Sequence, residues 1–226
     1  MKKLTVAIDG PAGAGKSTVA KRLAKELGYT YMDTGAMYRA FAWKVKESAI
    51  DLENEATLMA ALRETRIELL EEPGGLKVML DGVDVTTQIR APEMSQSASK
   101  VSALRPVRER MVELQRAMGA RGGVVAEGRD IGTVVFPRAE VKIFLTASSE
   151  ERAQRRFDEL RGQGKEVTLE ETLEEMNERD RRDEQRTLAP LRKADDAIAI
   201  DSTRHSVDEV MAIVRREIEK KMFISN

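Results

Sequence analysis

The stretch Gly10–Ser17, which reads GPAGAGKS, is the starting point for the fold. The residues before it, Leu4–Ile8, are apolar or β-branched and predict a short buried strand. After it, apolar residues recur at helical spacing from Ser17 to Leu27, and Gly28 stands where a helix commonly ends. A strand, a glycine-rich turn and an amphipathic helix in this succession are typical of the beginning of an α/β fold.

The turn follows the pattern G-x-x-x-x-G-K-S/T, which binds nucleotide phosphates. Glycine at Gly10 and Gly15 permits backbone angles that turn successive N–H groups inward, and the start of the following helix favours an anion. In this pattern Lys16 reaches the β and γ phosphates of ATP, and Ser17 ligates Mg²⁺. The predicted ATP-binding residues of this segment are Gly10, Pro11, Ala12, Gly13, Ala14, Gly15, Lys16, Ser17 and Thr18.

The loop alone leaves the class of protein open. Switch GTPases, motor ATPases and small-molecule kinases all carry it. The guanine-reading tetrapeptide N-K-x-D of the GTPases is absent from the sequence, which disfavours that class.

Strand and helix patterns alternate along the rest of the 226 residues, which predicts a parallel sheet with helices on both faces. Residues 64–90 contain two short strand patterns separated by Pro73–Gly75, which predicts a small antiparallel insert. Helical patterns follow in residues 92–118 and, interrupted at residues 162–164, in the charge-rich residues 150–184. The last predicted strand and helix are residues 197–200 and 206–221.

The composition limits the partners. Lys and Arg total 38 against 39 Asp and Glu, so no global basic field favours a nucleic acid polymer or an anionic membrane. The chain has no cysteine, which excludes disulfides and thiolate metal sites. No apolar run approaches the roughly 20 residues of a membrane span, and none forms a signal peptide. We expect a cytoplasmic protein, and a monomer, because nothing marks an interface.

Four further segments narrow the choice of class. They read DTGAMYR in residues 33–39, SASKV in 97–101, EGRDIGTVVFP in 127–137 and RDRRDEQR in 179–186. Together with the loop, these segments closely resemble the bacterial cytidylate kinase family along nearly the whole chain. The resemblance implies transfer of the γ-phosphoryl group of ATP to CMP, with dCMP also accepted.

The resemblance also implies a fold and a division of the chain. It implies the α/β fold of the P-loop nucleoside monophosphate (NMP) kinases, a parallel sheet flanked by helices with a small antiparallel insert and a helical lid. A single kinase domain would span residues 1–226. Its parts would be a core of residues 1–34, 119–150 and 187–226, an NMP-binding region of residues 35–118 with the insert at 64–90, and a lid of about residues 151–186.

Residue roles come from the same resemblance. The CMP phosphate contacts would be Arg39, Arg129 and Arg186. The cytosine contacts would be Ser99, Arg108 and Asp130, and the ribose contacts Arg179 and Asp183, with Thr34 nearby where many relatives carry serine. Lys16, Arg129 and Arg186 would be the catalytic residues.

The physical chemistry of the reaction agrees with this set. Two nucleotides repel each other, and a guanidinium group binds phosphate bidentately while keeping its charge at any working pH. Transfer through a loose, metaphosphate-like state needs charge around the moving phosphoryl group and little covalent chemistry. For the base, Asp130 would accept from the exocyclic amine of cytosine while Arg108 donates to N3 or O2, so UMP should be a poor substrate.

The acidic residues at strand ends leave alternatives open. Glu127 ends an apolar strand where P-loop proteins place an acid that holds Mg²⁺, directly or through water; many members of the resembled family carry aspartate there. Asp9 and Asp33 could orient Mg²⁺ waters or Lys16, or could equally cap a turn.

The arginines of the charge-rich helices also allow two interpretations. Arg152, Arg155 and Arg156 fit a lid that closes over ATP and keeps water from the γ-phosphate, with Arg156 as the ATP contact. The alternative is an ion-paired helix hairpin on the surface.

Two other functions remain to be distinguished from a CMP kinase. One is a P-loop regulatory ATPase whose nucleotide state controls a partner. The other is a kinase for another small acceptor, such as shikimate, which would have no need of Ser99, Arg108 and Asp130 as base readers.

Overall fold

The computed structural model describes residues 3–224 of the chain. The strands are β1 (Thr5–Asp9), β2 (Thr30–Asp33), β3 (Ile67–Glu72), β4 (Gly75–Leu80), β5 (Val83–Asp84), β6 (Val124–Gly128), β7 (Val141–Thr146) and β8 (Ile198–Asp201). The helices are α1 (Lys16–Leu27), α2 (Thr34–Glu47), α3 (Glu55–Glu64), α4 (Pro92–Val101), α5 (Arg105–Gly119), α6 (Ser149–Gly162), α7 (Leu169–Gln185) and α8 (Val207–Ile224).

A five-stranded sheet in the order β2-β6-β1-β7-β8 forms the centre of the fold. Strand β1 pairs in parallel with β6 and β7, and β7 with β8. The central strand is fully buried at Val6, Ala7 and Ile8, as expected for a parallel sheet with helices around it. The predicted α/β fold class is confirmed.

The chain divides into two compact units, Met1–Tyr31 with Arg121–Asn226, and Met32–Ala120. We call them the larger and the smaller unit. The division into core, NMP-binding region and lid stays a prediction about how these parts are used. Within residues 3–224, no helix has the length and apolarity needed to cross a membrane.

The smaller unit contains the predicted antiparallel insert, which is confirmed. Its three strands are ordered β3-β4-β5, and Ile67 is opposite Leu80 in the first pair. Leu76, Val78 and Leu80 alternate inward from β4 and are buried. The helical patterns of residues 92–118 form two helices, α4 and α5, which are separated by a turn at residues 102–104, and a proline occupies the first turn of α5.

In the larger unit, α6 and α7 form a helix hairpin with its break close to the predicted glycines. Helix α7 begins with a capping box, in which Thr168 accepts from the backbone N–H of Glu171 and the Glu171 carboxylate accepts from the N–H of Thr168. A π-helical turn at Ile131–Val135, which follows β6, was not predicted from the sequence.

Candidate active site

The loop between β1 and α1 adopts a shape that only glycine permits at its first position. Gly10 has a φ of +146°, and a Cβ atom built on it would lie 1.9 Å from the carbonyl oxygen of Leu145. Gly13 and Gly15 also have positive φ, at +74° and +90°. The loop therefore passes directly against β7, and a side chain at Gly10 would push it away.

Helix α1 begins with its N-terminal N–H groups available to an anion. Its N-cap is Gly15, which offers no side-chain cap, and its first turn contains no acidic residue. Ser17 and Thr18 in that turn are exposed. By contrast α2 and α6 are capped by the side chains of Asp33 and Ser148. The positive end of the α1 dipole thus faces a position suited to phosphate.

Lys16 lies buried beside the loop, where its ammonium Nζ donates to the carbonyl oxygen of Pro11 at 2.6 Å. Burial, together with the cations of Arg129 and Arg179, lowers the pKa of Lys16 from 10.5 to about 7, against the opposing influence of Glu127 and Asp9. Its ammonium form is therefore disfavoured in the free protein, and the negative charge of a bound phosphate would stabilise it.

Asp9, at the end of β1, binds the backbone of the π-helical turn. Its two carboxylate oxygens accept from the N–H groups of Ile131 and Gly132, each at 2.7 Å. Burial raises its pKa to about 6, although these hydrogen bonds and Lys16 act in the opposite direction. Of the two roles left open for Asp9, the structure supports the capping of a turn, and this turn directly follows Arg129 and Asp130.

Glu127, near the end of β6, is buried and accepts a hydrogen bond from the hydroxyl group of Tyr31. It is also close enough to Lys16 to oppose the lowering of that residue's pKa. Tyr31 was not identified from the sequence, because a tyrosine in a buried strand is ordinarily a packing residue.

The predicted phosphate-binding arginines of the larger unit surround one carboxylate. The Nε of Arg129 donates to Asp183 at 2.8 Å, and Nη1 of Arg186 lies 3.9 Å from the other oxygen of Asp183. Arg186 also lies 3.7 Å from Asp130. Although burial alone would raise the pKa of Asp183, Arg129, Arg179 and Arg186 together lower it. These residues, which span 57 positions from Arg129 to Arg186 in the sequence, form one buried ionic cluster.

In the smaller unit, Arg39 is held at the start of α2. Its guanidinium forms an ion pair with Asp33 at 3.0 Å, and Asp33 also caps the helix by accepting from the N–H of Ala36. A Cβ built on Gly35 would lie 3.1 Å from Nη1 of Arg39, so glycine leaves room for this side chain. Thr34, between Asp33 and Gly35, is buried. Here too the structure supports capping as the role of Asp33.

Ser99 and Arg108 are brought together at the junction of α4 and α5. The Ser102 hydroxyl donates to the carbonyl of Ser99 at 2.9 Å, and Arg108 donates to the carbonyl of Ser102 at 3.3 Å. Arg108 is buried, with its guanidinium 5.8 Å from the centre of the Tyr38 ring. The hydroxyl oxygen of Ser99 is buried and has no hydrogen-bond partner among residues 3–224, so it can serve a ligand.

Comparison with known proteins now adds the family. A sequence model described as cytidylate kinase matches residues 6–220. The chain belongs to the cytidylate kinase family. A cytidylate kinase of Carboxydothermus hydrogenoformans is 52% identical over 218 residues, covering 96% of this chain and 98% of the relative. One of Bacillus pumilus is 53% identical over 209 residues, covering 92% and 93%. The resemblance seen in the sequence is confirmed.

A solved structure supports the fold of this cytidylate kinase family member. An uncharacterized protein from Eubacterium ventriosum aligns over 97% of this chain and 99% of its own, with a TM-score of 0.52 and 16% identity. At that identity the likeness extends to the fold alone.

The arginines of the helix hairpin differ in their surroundings. Arg156, chosen as the ATP contact, pairs with Glu159 on the same helix at 2.7 Å and is partly exposed. Arg152 is buried and donates to the loop carbonyl of Ala12 at 3.1 Å. Arg155 donates to the carbonyl of Ser202 at 2.9 Å. The contacts of Arg152 and Arg155 were missed, since neither helical spacing nor a family motif points to them. The role of each cytidylate kinase site residue stays a prediction.

Proposed function

We propose that the protein transfers the γ-phosphoryl group of ATP to CMP, giving ADP and CDP, and accepts dCMP as a second substrate. Beyond the family itself, one observation carries the proposal. The lysine of the phosphate loop is near enough to Arg129 and Arg179 that both lower its pKa. A site for the phosphates of one nucleotide therefore adjoins a cationic cluster suited to the phosphate of another.

The residues of the larger unit would act mainly by electrostatics. The backbone N–H groups of the loop and the start of α1 bind the β and γ phosphates, and Lys16 follows the charge that moves between them. Arg129, which a hydrogen bond to Asp183 orients, and Arg186, which donates to the carbonyl of Ala189, neutralise the oxygens of the moving phosphoryl group. No covalent intermediate with the protein is needed.

Mg²⁺ is the proposed cofactor, and the candidate ligands are of the oxygen type that this ion prefers. The exposed Ser17 hydroxyl and the buried Glu127 carboxylate are oxygen donors, and Mg²⁺ is commonly held by one or two protein oxygens together with substrate phosphates. When bound, the ion would neutralise charge shared by the β and γ phosphates.

Each unit carries a part of the proposed CMP recognition. In the larger unit these residues are Arg129, Asp130, Arg179, Asp183 and Arg186. In the smaller unit they are Thr34, Arg39, Ser99 and Arg108. Base selection would come from Asp130, whose carboxylate accepts from the cytosine amine, and from Arg108, which donates to N3 or O2 of the base. The Ser99 hydroxyl, which has no hydrogen-bond partner among residues 3–224, would be a further contact.

Replacing Asp130 with asparagine is expected to change the choice of base. The carboxylate only accepts, whereas the amide also donates and suits the O4 oxygen of uracil. We expect kcat/KM for CMP to fall about 10- to 100-fold, which corresponds to the loss of one charged hydrogen bond. The ratio of kcat/KM for UMP to kcat/KM for CMP should rise. Steady-state kinetics with both nucleotides measure this. The KM for ATP is the internal control. An unchanged KM for CMP would show that Asp130 does not contact the base.

ATP binding is expected to take up a proton at Lys16. The phosphates favour the charged lysine and raise a pKa that is about 7 in the free protein. Uptake should therefore approach one proton at about pH 8, where the free lysine is mostly neutral, and should diminish below pH 7. Calorimetric titrations in buffers of different ionisation enthalpy measure it. Lys16→Met should abolish the uptake, and heats that do not depend on the buffer would contradict the assignment.

A substrate panel tests the function directly. ADP release would be followed by a coupled assay with ATP and Mg²⁺, with CMP, dCMP, UMP, AMP, shikimate or no acceptor. We expect release only with CMP and dCMP, and weakly with UMP. Equal release with and without acceptor would favour the regulatory ATPase, and release with shikimate alone would favour the other kinase.

The same proposal sets the biological context. Its substrates place the reaction in pyrimidine nucleotide metabolism and, since both nucleotides are cytoplasmic metabolites, in the cytoplasm. We propose a monomer because one chain supplies the phosphate loop and every predicted contact to CMP.

A further inference from the structure

In the phosphate loop, the N–H groups that would bind phosphate and the carbonyl groups of the same peptides point in opposite directions. In a planar trans peptide, the carbonyl of one residue and the N–H of the next point in opposite directions. No peptide bond within residues 3–224 is cis. A donor that holds the carbonyl of Ala12 therefore sets the direction of the Gly13 N–H, and one that holds Ala14 sets that of Gly15.

Both carbonyls are held by buried side chains from distant parts of the larger unit. Nη1 of Arg152 donates to Ala12 at 3.1 Å, and the hydroxyl of Ser202 donates to Ala14 at 3.1 Å. Arg152 and Ser202 are 7% and 4% exposed. Within the described part of the chain, the N–H groups of Gly13 and Gly15 donate to no protein group, which leaves them for an anion.

Each of the two donors is itself fixed. Arg152 also donates through Nε to the carbonyl of Ala147 at 3.0 Å and through Nη1 to Asp180 at 2.5 Å. The Ser202 hydroxyl accepts from Nη1 of Arg155 at 3.2 Å. Because a hydroxyl has a single hydrogen, this acceptance leaves that hydrogen for Ala14.

Such support matters because the loop cannot fix its own shape. Gly13 and Gly15 have the widest choice of backbone angles of any residue type, so their peptide planes would otherwise be ordered only when phosphate binds. A loop that is held beforehand binds its ligand more tightly, because less ordering remains to be done.

We propose that Arg152 and Ser202 are positioning residues for the phosphate loop. Their hydrogen bonds to the carbonyls of Ala12 and Ala14 direct the Gly13 and Gly15 N–H groups toward the phosphates of ATP. This inference rests on the proposed function. Arg152 adds a second effect, since its partner Asp180 lies on α7 beside Arg179. The position of the loop is thereby tied to the helix that carries part of the arginine cluster.

Ser202→Ala is the first test, because it removes only the hydroxyl group that donates to Ala14 and leaves the fold's charges intact. We expect the KM for ATP to rise about fivefold, the order of one net hydrogen bond, with little change in kcat or in the KM for CMP. Inorganic tripolyphosphate, titrated by calorimetry, should bind more weakly by the same factor. The matched control is Thr203→Ala, which removes a neighbouring hydroxyl that bonds Ser148 and Asp201 but not the loop. It should bind tripolyphosphate as the unmodified protein does.

Arg152→Lys is the second test. It keeps the positive charge near Asp180, but one ammonium group cannot replace the fork that reaches Ala12, Ala147 and Asp180. We expect tripolyphosphate to bind about 10-fold more weakly or worse, in line with the loss of a charged hydrogen bond. Gln154→Ala, an exposed change on the same helix, is the control.

Two results would overturn the proposal. One is tripolyphosphate binding equal to that of the unmodified protein in a folded Ser202→Ala variant. The other is a lowered melting temperature in both variants without weaker tripolyphosphate binding, which would make the two residues structural only. Because tripolyphosphate binding requires no turnover, a protein inactive on CMP would contradict the proposed function and leave this test valid.

Discussion

Replacing Lys16 with alanine is expected to lower kcat by about 10²- to 10³-fold, the usual cost of one preorganised donor to a charged transition state. The free protein should not lose stability. Burial and two arginines already disfavour the charge of Lys16, so its removal relieves a repulsion. The melting temperature at neutral pH should stay the same or rise. The coupled ADP assay and calorimetry measure the two effects.

Lys16→Met separates charge from volume in this experiment. Methionine fills similar space without an ammonium group, so it should match alanine in kcat while keeping the packing beside Pro11. If either variant retains most of the activity, Lys16 is not the residue that follows the transferred charge. A large fall in the melting temperature of Lys16→Met, which keeps the packing, would contradict the account of the lowered pKa of Lys16.

Removing the carboxylate of Asp183 has the second-largest expected effect. Arg129, Arg179 and Arg186 would lose the charge that offsets their mutual repulsion, and we expect Asp183→Ala to destabilise the free protein by about 3–5 kcal/mol. Loss of the oriented Arg129 should reduce kcat/KM for CMP about 100-fold. CMP should restore part of the stability, since its phosphate supplies the missing negative charge. Melting temperatures with and without CMP measure this.

Asp183→Asn is the matched control, because its amide oxygen can still accept from Arg129 at nearly unchanged volume. We expect a smaller loss of stability than for alanine. The dependence of stability on pH in the acid range gives an independent check. The pKa of Asp183 is lowered in the fold, so its stabilisation is present at neutral pH and is lost as the pH falls through that lowered value. A melting temperature equal to that of the unmodified protein for Asp183→Ala would show that the cluster does not need its carboxylate.

Local features of the fold were readable from the sequence because each is determined within a few residues. The succession of β1, the loop and α1 depends on apolar spacing and on glycines, and the insert depends on the turn at Pro73–Gly75. The π-helical turn after β6 could not be predicted from the sequence. It is held by Asp9, whose carboxylate lies 122 positions away in the chain from Ile131.

The site shows the same division. Its residue types could be named from the family segments, yet the contacts among them could not. The ion pair of Arg129 with Asp183 spans 54 positions, and the hydrogen bond of Ser202 to Ala14 spans 188. Such pairs are selected by packing in three dimensions. No pattern in a single sequence distinguishes Ser202 from other serines near a strand end.

The hold of Asp9 on the Ile131–Gly132 backbone has a consequence for protein engineering. Asp9 immediately precedes Gly10, and both of its oxygens bind the turn that follows Asp130. A graft of Gly10–Ser17 alone into another scaffold would lose Asp9 and, with it, the two hydrogen bonds that join the loop to this turn. A graft that begins at Asp9 and includes the EGRDIG segment would carry the loop and the adjoining turn as one transplantable piece, already joined by its own hydrogen bonds.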